Sequence, residues 1–183
     1  MRMVLLSLLR ALTAQVRPPE AWSQADIATR RLQPDAFVQL PAGVRTELQR
    51  LGCTVPQLHT GGAPHNVVRG QFNDTAGADW AVLCSRQRES SILVFWDGGV
   101  TNPSEIAHSP DLQFLQVVPP GQIGFSRAIS LASPEYILER HKRYGGPKPP
   151  ELTHAGINDV FVDKASKVWY WHGGKWRQLT GAD

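Results

Sequence analysis

Gly70–Gly99, GQFNDTAGADWAVLCSRQRESSILVFWDGG, decides how this chain is read. A polar loop leads into an apolar run from Trp80 to Cys84. A charged connection, SRQRES, follows, and then SSILVFW, ending at Trp96. Branched and aromatic residues suit a pleated surface, and a charged connection belongs at a solvent-facing turn. Asp97-Gly98-Gly99 closes the second strand, because glycine takes a positive φ without a Cβ clash. Both strands are almost continuously apolar, which predicts burial on both faces.

Working outward, Pro41–Gly52 (PAGVRTELQRLG) places Val44, Leu48 and Leu51 on one face at helical spacing, with Gly52 as the stop. Ser133-Pro134-Glu135 reads as a helix start, with a Ser cap, Pro at the first turn and an acid beside the helix dipole. That helix is expected over 134–144. Strands are expected over 66–72, 112–118 and 125–131, the last (FSRAISL) alternating apolar and polar. From Thr153 the plan of the centre recurs as a polar loop, VFVDKA, SKVWYWH, a Gly173-Gly174 turn and KWRQL. The predicted fold class is α+β and β-rich: an antiparallel sheet built from two related loop-hairpin units, with two short packing helices. It is placed as one domain over 34–183, preceded by a poorly ordered linker over 16–33.

The chain has 183 residues, enough for a sizeable core, and its six Trp argue for a packed body. Met1–Gln15 (MRMVLLSLLRALTAQ) has a positive start, an apolar run and small residues for cleavage, the order of parts of a secretory signal. It is too short to span a bilayer, so no membrane association is expected after cleavage. The formal net charge of +3 is carried by Arg2, Arg10 and Arg17. The remainder is neutral and its basic residues are scattered, which argues against a nucleic-acid partner. Cys53 and Cys84 are the two cysteines. In an exported protein an isolated pair reads as one disulfide; in a cytosolic one it reads as two buried thiols. Secretion or a periplasmic location, with a monomer, is the expectation.

Gln71–Val82 (QFNDTAGADWAV) and Glu151–Val162 (ELTHAGINDVFV) lie over each other without gaps. Each has a polar first and third position, an Asp at the ninth and then a strand. The pattern resembles the FG-GAP or VCBS-type repeat, whose loop binds calcium through oxygens at alternate positions. That resemblance implies Gln71, Asn73, Thr75 and Asp79 as the ligand set. Gln71 and Thr75 stand where the family has Asp. In the second loop Asp159 matches, Glu151 substitutes, Thr153 is a poor match and Ala155 cannot ligate. Calcium prefers six to eight hard oxygens, so a loop with its carboxylates replaced outlines a calcium site but lacks its charge. Asp79 and Asp159 are therefore expected to cap their loops by accepting backbone N–H bonds. The expectation is no cofactor, with calcium as the one ion the loop outlines. The family builds propellers of at least four blades, which two copies cannot close.

No nucleophile elbow and no HExxH spacing occurs. His59, His65, His154 and His172 lie scattered in or next to loops. Two routes to function remain. Trp169, Tyr170, Trp171 and Trp176 cluster in the last hairpins, with Trp169 and Trp171 on one strand face and Tyr170 on the other. They form a candidate platform for a protein or glycan. The leading expectation is an exported, non-catalytic protein binding such a partner. The alternatives are a hydrolase using Asp79 and Asp159 as paired carboxylates with a loop histidine, and a calcium-dependent module.

Overall fold

The computed structural model describes residues 18–181. The expected signal segment, 1–15, lies outside the described residues. In chain order the elements are α1 (Pro18–Ala28), β1 (Arg31–Leu32), α2 (Ala42–Arg50), β2 (Val55–Pro56), β3 (Val67–Gly70), β4 (Asp79–Arg86) and β5 (Glu89–Phe95). There follow β6 (Ser104–Pro110), β7 (Leu115–Val118), β8 (Gln122–Phe125), β9 (Arg127–Ala132), α3 (Pro134–Tyr144), β10 (Gly156–Phe161), β11 (Ala165–His172) and β12 (Lys175–Thr180). All strand pairings are antiparallel. The first large sheet runs β3-β4-β5-β6 and the second β12-β11-β10-β9, with two small pairs, β1-β2 and β7-β8. The α+β, β-rich class is as expected.

The apolar alternation stacks these elements in four layers. On the outer face of the first sheet, Trp80, Val82, Cys84, Leu93 and Phe95 pack against Phe37, Leu40, Val44 and Leu48, the last two from α2. On its inner face, Ala81, Leu83, Ile92 and Val94 meet Ile129 and Ile157 of the second sheet. The outer face of the second sheet buries Ala132, Val168, Tyr170 and Leu179 under Ile137 of α3. The order is helix, sheet, sheet, helix. β4 and β5 read as apolar on both faces because α2 covers one and the second sheet the other. Each fully buried Leu, Ile or Phe here contributes about 1.5–3 kcal/mol.

Local signals set the connections. β4 and β5 join through Gln87 and Arg88, both at positive φ (52° and 66°), the type I′ geometry of a two-residue hairpin. Gly173 and Gly174 make the equivalent turn between β11 and β12, as expected. Ser133 caps α3 by accepting from the Tyr136 N–H at 3.2 Å. The same hydroxyl donates toward Glu135 and holds its carboxyl below the usual range. Cys53 and Cys84 form the disulfide, Cα atoms 5.2 Å apart, and tie the end of α2 to β4.

Residues 16–33 are corrected from linker to structure over their described part. α1 packs Trp22 and Ala25 against the core between the sheets. Beyond it, Arg31 Nη2 lies 2.6 Å from Asp26 Oδ1 and 2.7 Å from Asp111 Oδ2. Asp111 is fully buried and also accepts from Ser85 Oγ at 2.5 Å, so this segment is bolted to β4. PPEAWSQADIA carries no clean apolar stripe, and its anchor lies 80 positions away, which is why composition reads it as a linker. α1 raises the α-helices among the described residues to three. Among those residues no helix is long and apolar enough to cross a membrane.

Both cysteines are buried, and the bond closes 31 residues of chain. Replacing Cys53 and Cys84 together by Ala is expected to lower stability by about 3–4 kcal/mol in urea unfolding, from restored loop entropy. Reduction of the native protein should approach the same value.

Candidate functional site

The first loop closes on its own hydrogen bonds. Gln71 Nε2 donates to the Thr75 carbonyl at 2.7 Å. Asn73 Oδ1 accepts from the Thr75 N–H and hydroxyl at 2.8 and 2.6 Å. Asp79 accepts the Phe72 N–H on one oxygen at 2.7 Å and the Asp97 N–H on the other at 2.8 Å. Asp79 thus caps its loop as expected. A Cβ on Gly77 would lie 1.3 Å from Asp97 Oδ1, so only glycine admits the close approach there. Of the four residues expected as ligands, Gln71, Asn73 and Thr75 bond to one another, whereas Asp79 turns to the Phe72 and Asp97 N–H groups, so that Asn73 Oδ1 and both Asp79 oxygens are occupied by protein donors. Among the described residues no group of three His, Cys, Asp or Glu side chains converges.

The second loop docks on the first. Ala155 N–H donates to the Gln71 carbonyl at 2.9 Å, and Thr153 Oγ1 donates to Asp74 Oδ1 at 2.9 Å. His154, buried at 4% exposure, sits 4.0 Å from the same Asp74 oxygen. Glu151 is exposed and takes no part.

Asp159 overturns the expectation of a second cap. It lies in the middle of β10, not at a strand start, and forms a two-pronged pair with Arg127 of β9. Arg127 Nε and Nη2 each reach one carboxylate oxygen at 2.8 Å. Arg127 is fully buried. Its remaining donors go to the first sheet: Nη1 to Ser90 Oγ at 2.9 Å and the Ser90 carbonyl at 3.3 Å, Nη2 to the Ala107 carbonyl at 2.8 Å. All five guanidinium N–H groups are therefore used. The pairing of β5 with β6 slips between Ser90 and Ile92, and Ala107 there takes a φ of 57°. That bulge turns the Ala107 carbonyl toward the arginine. Asp79 and Asp159 are thus each engaged by different partners, and neither is left free to act as an acid or base in a pair.

The aromatic residues divide by face. Tyr170 is buried against α3, and burial pushes its phenol pKa up, with Arg177 opposing. Trp169, Trp171 and Trp176 face the first sheet, where they meet Trp96 and Phe72. Ring centroids are 5.0 Å apart for Trp96–Trp171, 5.8 Å for Trp96–Trp176 and 5.7 Å for Trp171–Trp176. Trp96, Trp171 and Trp176 are each half-buried. They form one patch to which both sheets contribute, and Trp96 was not singled out from the sequence. The indole N–H groups of Trp169 and Trp176 are buried without a partner.

Two other arrangements invite chemistry. Ser91 Oγ lies 3.0 Å from His108 Nδ1, and His108 Nε2 lies 2.7 Å from Glu89. This trio lacks an accessible nucleophile, since Ser91 is 1% exposed. A cleft of about 310 Å³ opens between the sheets, lined in part by His108, Phe114, Phe161 and Lys167, with the Arg127–Asp159 pair among its walls. The loop histidines bond locally: His65 Nε2 accepts from the Leu58 N–H at 2.8 Å, and His59 Nδ1 lies 3.3 Å from the Phe125 carbonyl.

Compared with protein-family models, curated proteins and solved structures, the chain finds no match in any of the three. What the site can do rests on its own geometry.

Arg127→Met leaves Asp159 buried and unpaired, at an expected cost of about 3–5 kcal/mol. Arg127→Met combined with Asp159→Leu should cost less than that single change, because no charge is stranded. A double-mutant cycle by urea unfolding checks both values.

Proposed function

We propose that this protein is an exported, non-catalytic binding protein whose partner, a protein or a glycan, docks on the indole cluster of Trp96, Trp171 and Trp176. The reading is carried by one observation: three half-buried indoles from two sheets meet within 6 Å, leaving partly exposed aromatic surface at a single place. Aromatic rings present large apolar faces at little conformational cost, which suits sugar rings and interface anchors alike. The engaged state of Asp79 and Asp159 and the concealment of Ser91 favour binding over hydrolysis. The disulfide and the secretory order of the first 15 residues favour export.

The test is a glycan array and a panel of candidate exported proteins, probed with the wild type, Trp171→Phe and Trp171→Ala. Docking on the cluster predicts a loss of about tenfold or more for Trp171→Ala and a smaller loss for Trp171→Phe. Melting curves must show both variants folded. Binding unchanged in both variants removes the indole cluster from the reading.

We further propose that loop 71–79 keeps the outline of a calcium site while its hydrogen bonds replace the ion. Calorimetry should then show no heat on calcium addition, and the melting temperature should not move with calcium or chelator. A calcium-dependent rise in melting temperature would return the loop to metal binding.

A further inference from the structure

The outer face of the second sheet holds a feature separate from the indole cluster. Between α3 and strands β10 and β11 lies a groove of about 270 Å³, lined by Tyr136 and Arg140 of the helix and by Asn158, Val160, Lys164 and Ser166. Asn158 and Ser166 share the face that carries Val168 and Tyr170, opposite to Trp169 and Trp171. The groove therefore does not depend on the reading above.

Its polar groups are incompletely used. Asn158 Oδ1 and Ser166 Oγ are buried and have no hydrogen-bond partner. Buried polar side-chain atoms in folded proteins are nearly always met by a protein group, an ordered water or a bound ligand. Two cations stand over the same groove. The Arg140 guanidinium lies 4.6 Å from the Tyr136 ring centre, and Lys164 Nζ lies 5.1 Å from that of Phe161. Among the described residues neither cation has a carboxylate within salt-bridge distance. Asp163 also lines the groove and adds an acceptor at its rim.

We propose that this groove binds one acidic sugar unit, a uronate. The chemistry points there because the free acceptors, Asn158 Oδ1 and Asp163, call for hydroxyl donors. Ser166 can donate or accept, and the two unpaired cations call for a carboxylate. Inorganic phosphate would suit the cations, but its dianion brings one hydroxyl donor where a sugar ring brings several. A neutral hexose would satisfy the acceptors and leave the cations unused. The volume lies near the lower end of small-ligand pockets, in keeping with a single ring.

The experiment is an amide NMR titration of the full chain with D-glucuronate, with D-glucose and with inorganic phosphate. Saturable shifts are expected with glucuronate at Asn158, Lys164 and Ser166, with glucose and phosphate each about tenfold weaker or more. Arg140 is half-buried on the helix surface, so Arg140→Gln should fold normally and weaken glucuronate about tenfold. Lys164→Gln provides a second, independent loss at an exposed position. The proposal is overturned by no saturable shift with glucuronate, by phosphate binding equally well, or by both variants binding as the wild type does.

Discussion

The Arg127 guanidinium is the interaction on which the two-sheet body depends. It sits on β9, takes both oxygens of Asp159 on β10, and spends its other donors on Ser90 of β5 and Ala107 of β6. One side chain thus holds both sheets at a fixed separation and register. A buried charge is tolerable only when its desolvation is offset by good geometry and complete hydrogen bonding, and both hold here. The Phe114 ring, 4.3 Å from the guanidinium carbon, covers one face of the plane. Close by, buried Asn66 donates to the carbonyls of Pro56 and Arg127 and accepts the Ile129 N–H, so the same junction is stitched at the backbone level too.

Fixing the sheets against each other positions everything else. Trp96 follows β5 of the first sheet, whereas Trp171 and Trp176 belong to the second, paired across β11 and β12. Their rings meet only because the sheets are held face to face. The docking of Ala155 on Gln71 and of Thr153 on Asp74 likewise needs the two halves in a set relation. The apolar layers contribute most of the free energy, but they are indifferent to small slips. The directional polar contacts of Arg127 and Asn66 select one arrangement among the several that the apolar faces would tolerate.

How much of this could be read from the sequence follows from the range of the signals. β4 and β5 were legible because each is a local apolar run, and α3 because Ser133-Pro134-Glu135 is a local cap. The disulfide was legible because there are two cysteines to pair. Arg127 was not: in FSRAISL an alternating polar residue reads as solvent-facing, and its partners lie 20 to 37 positions away. β6, SEIAHSP, is polar and carries a bulge, so it reads as a connection. α1 and Arg31 depend on Asp111, which nothing near them announces. The candidate site divides the same way: the aromatic residues of β11 and β12 stood out as a local cluster, whereas the contribution of Trp96 is a tertiary fact.

Asp79 and Asp159 show how far a shared pattern can be pressed. They occupy the same position in two loops that superpose in sequence, 80 residues apart. Asp79 opens its strand and collects backbone N–H groups that no strand partner could reach. Asp159 lies three residues into β10, where the ladder already satisfies the backbone, and its carboxylate turns instead to a guanidinium across the strand pair. A carboxylate goes to whatever unpaired donor its strand position presents, and an offset of a few residues along a strand changes that donor from peptide to side chain. Both acids are thereby committed to holding the fold. Among the described residues the buried polar atoms left without a partner lie elsewhere: at the indole cluster, under and on α3, and at Asp111 Oδ1, whose sister oxygen takes Arg31 and Ser85.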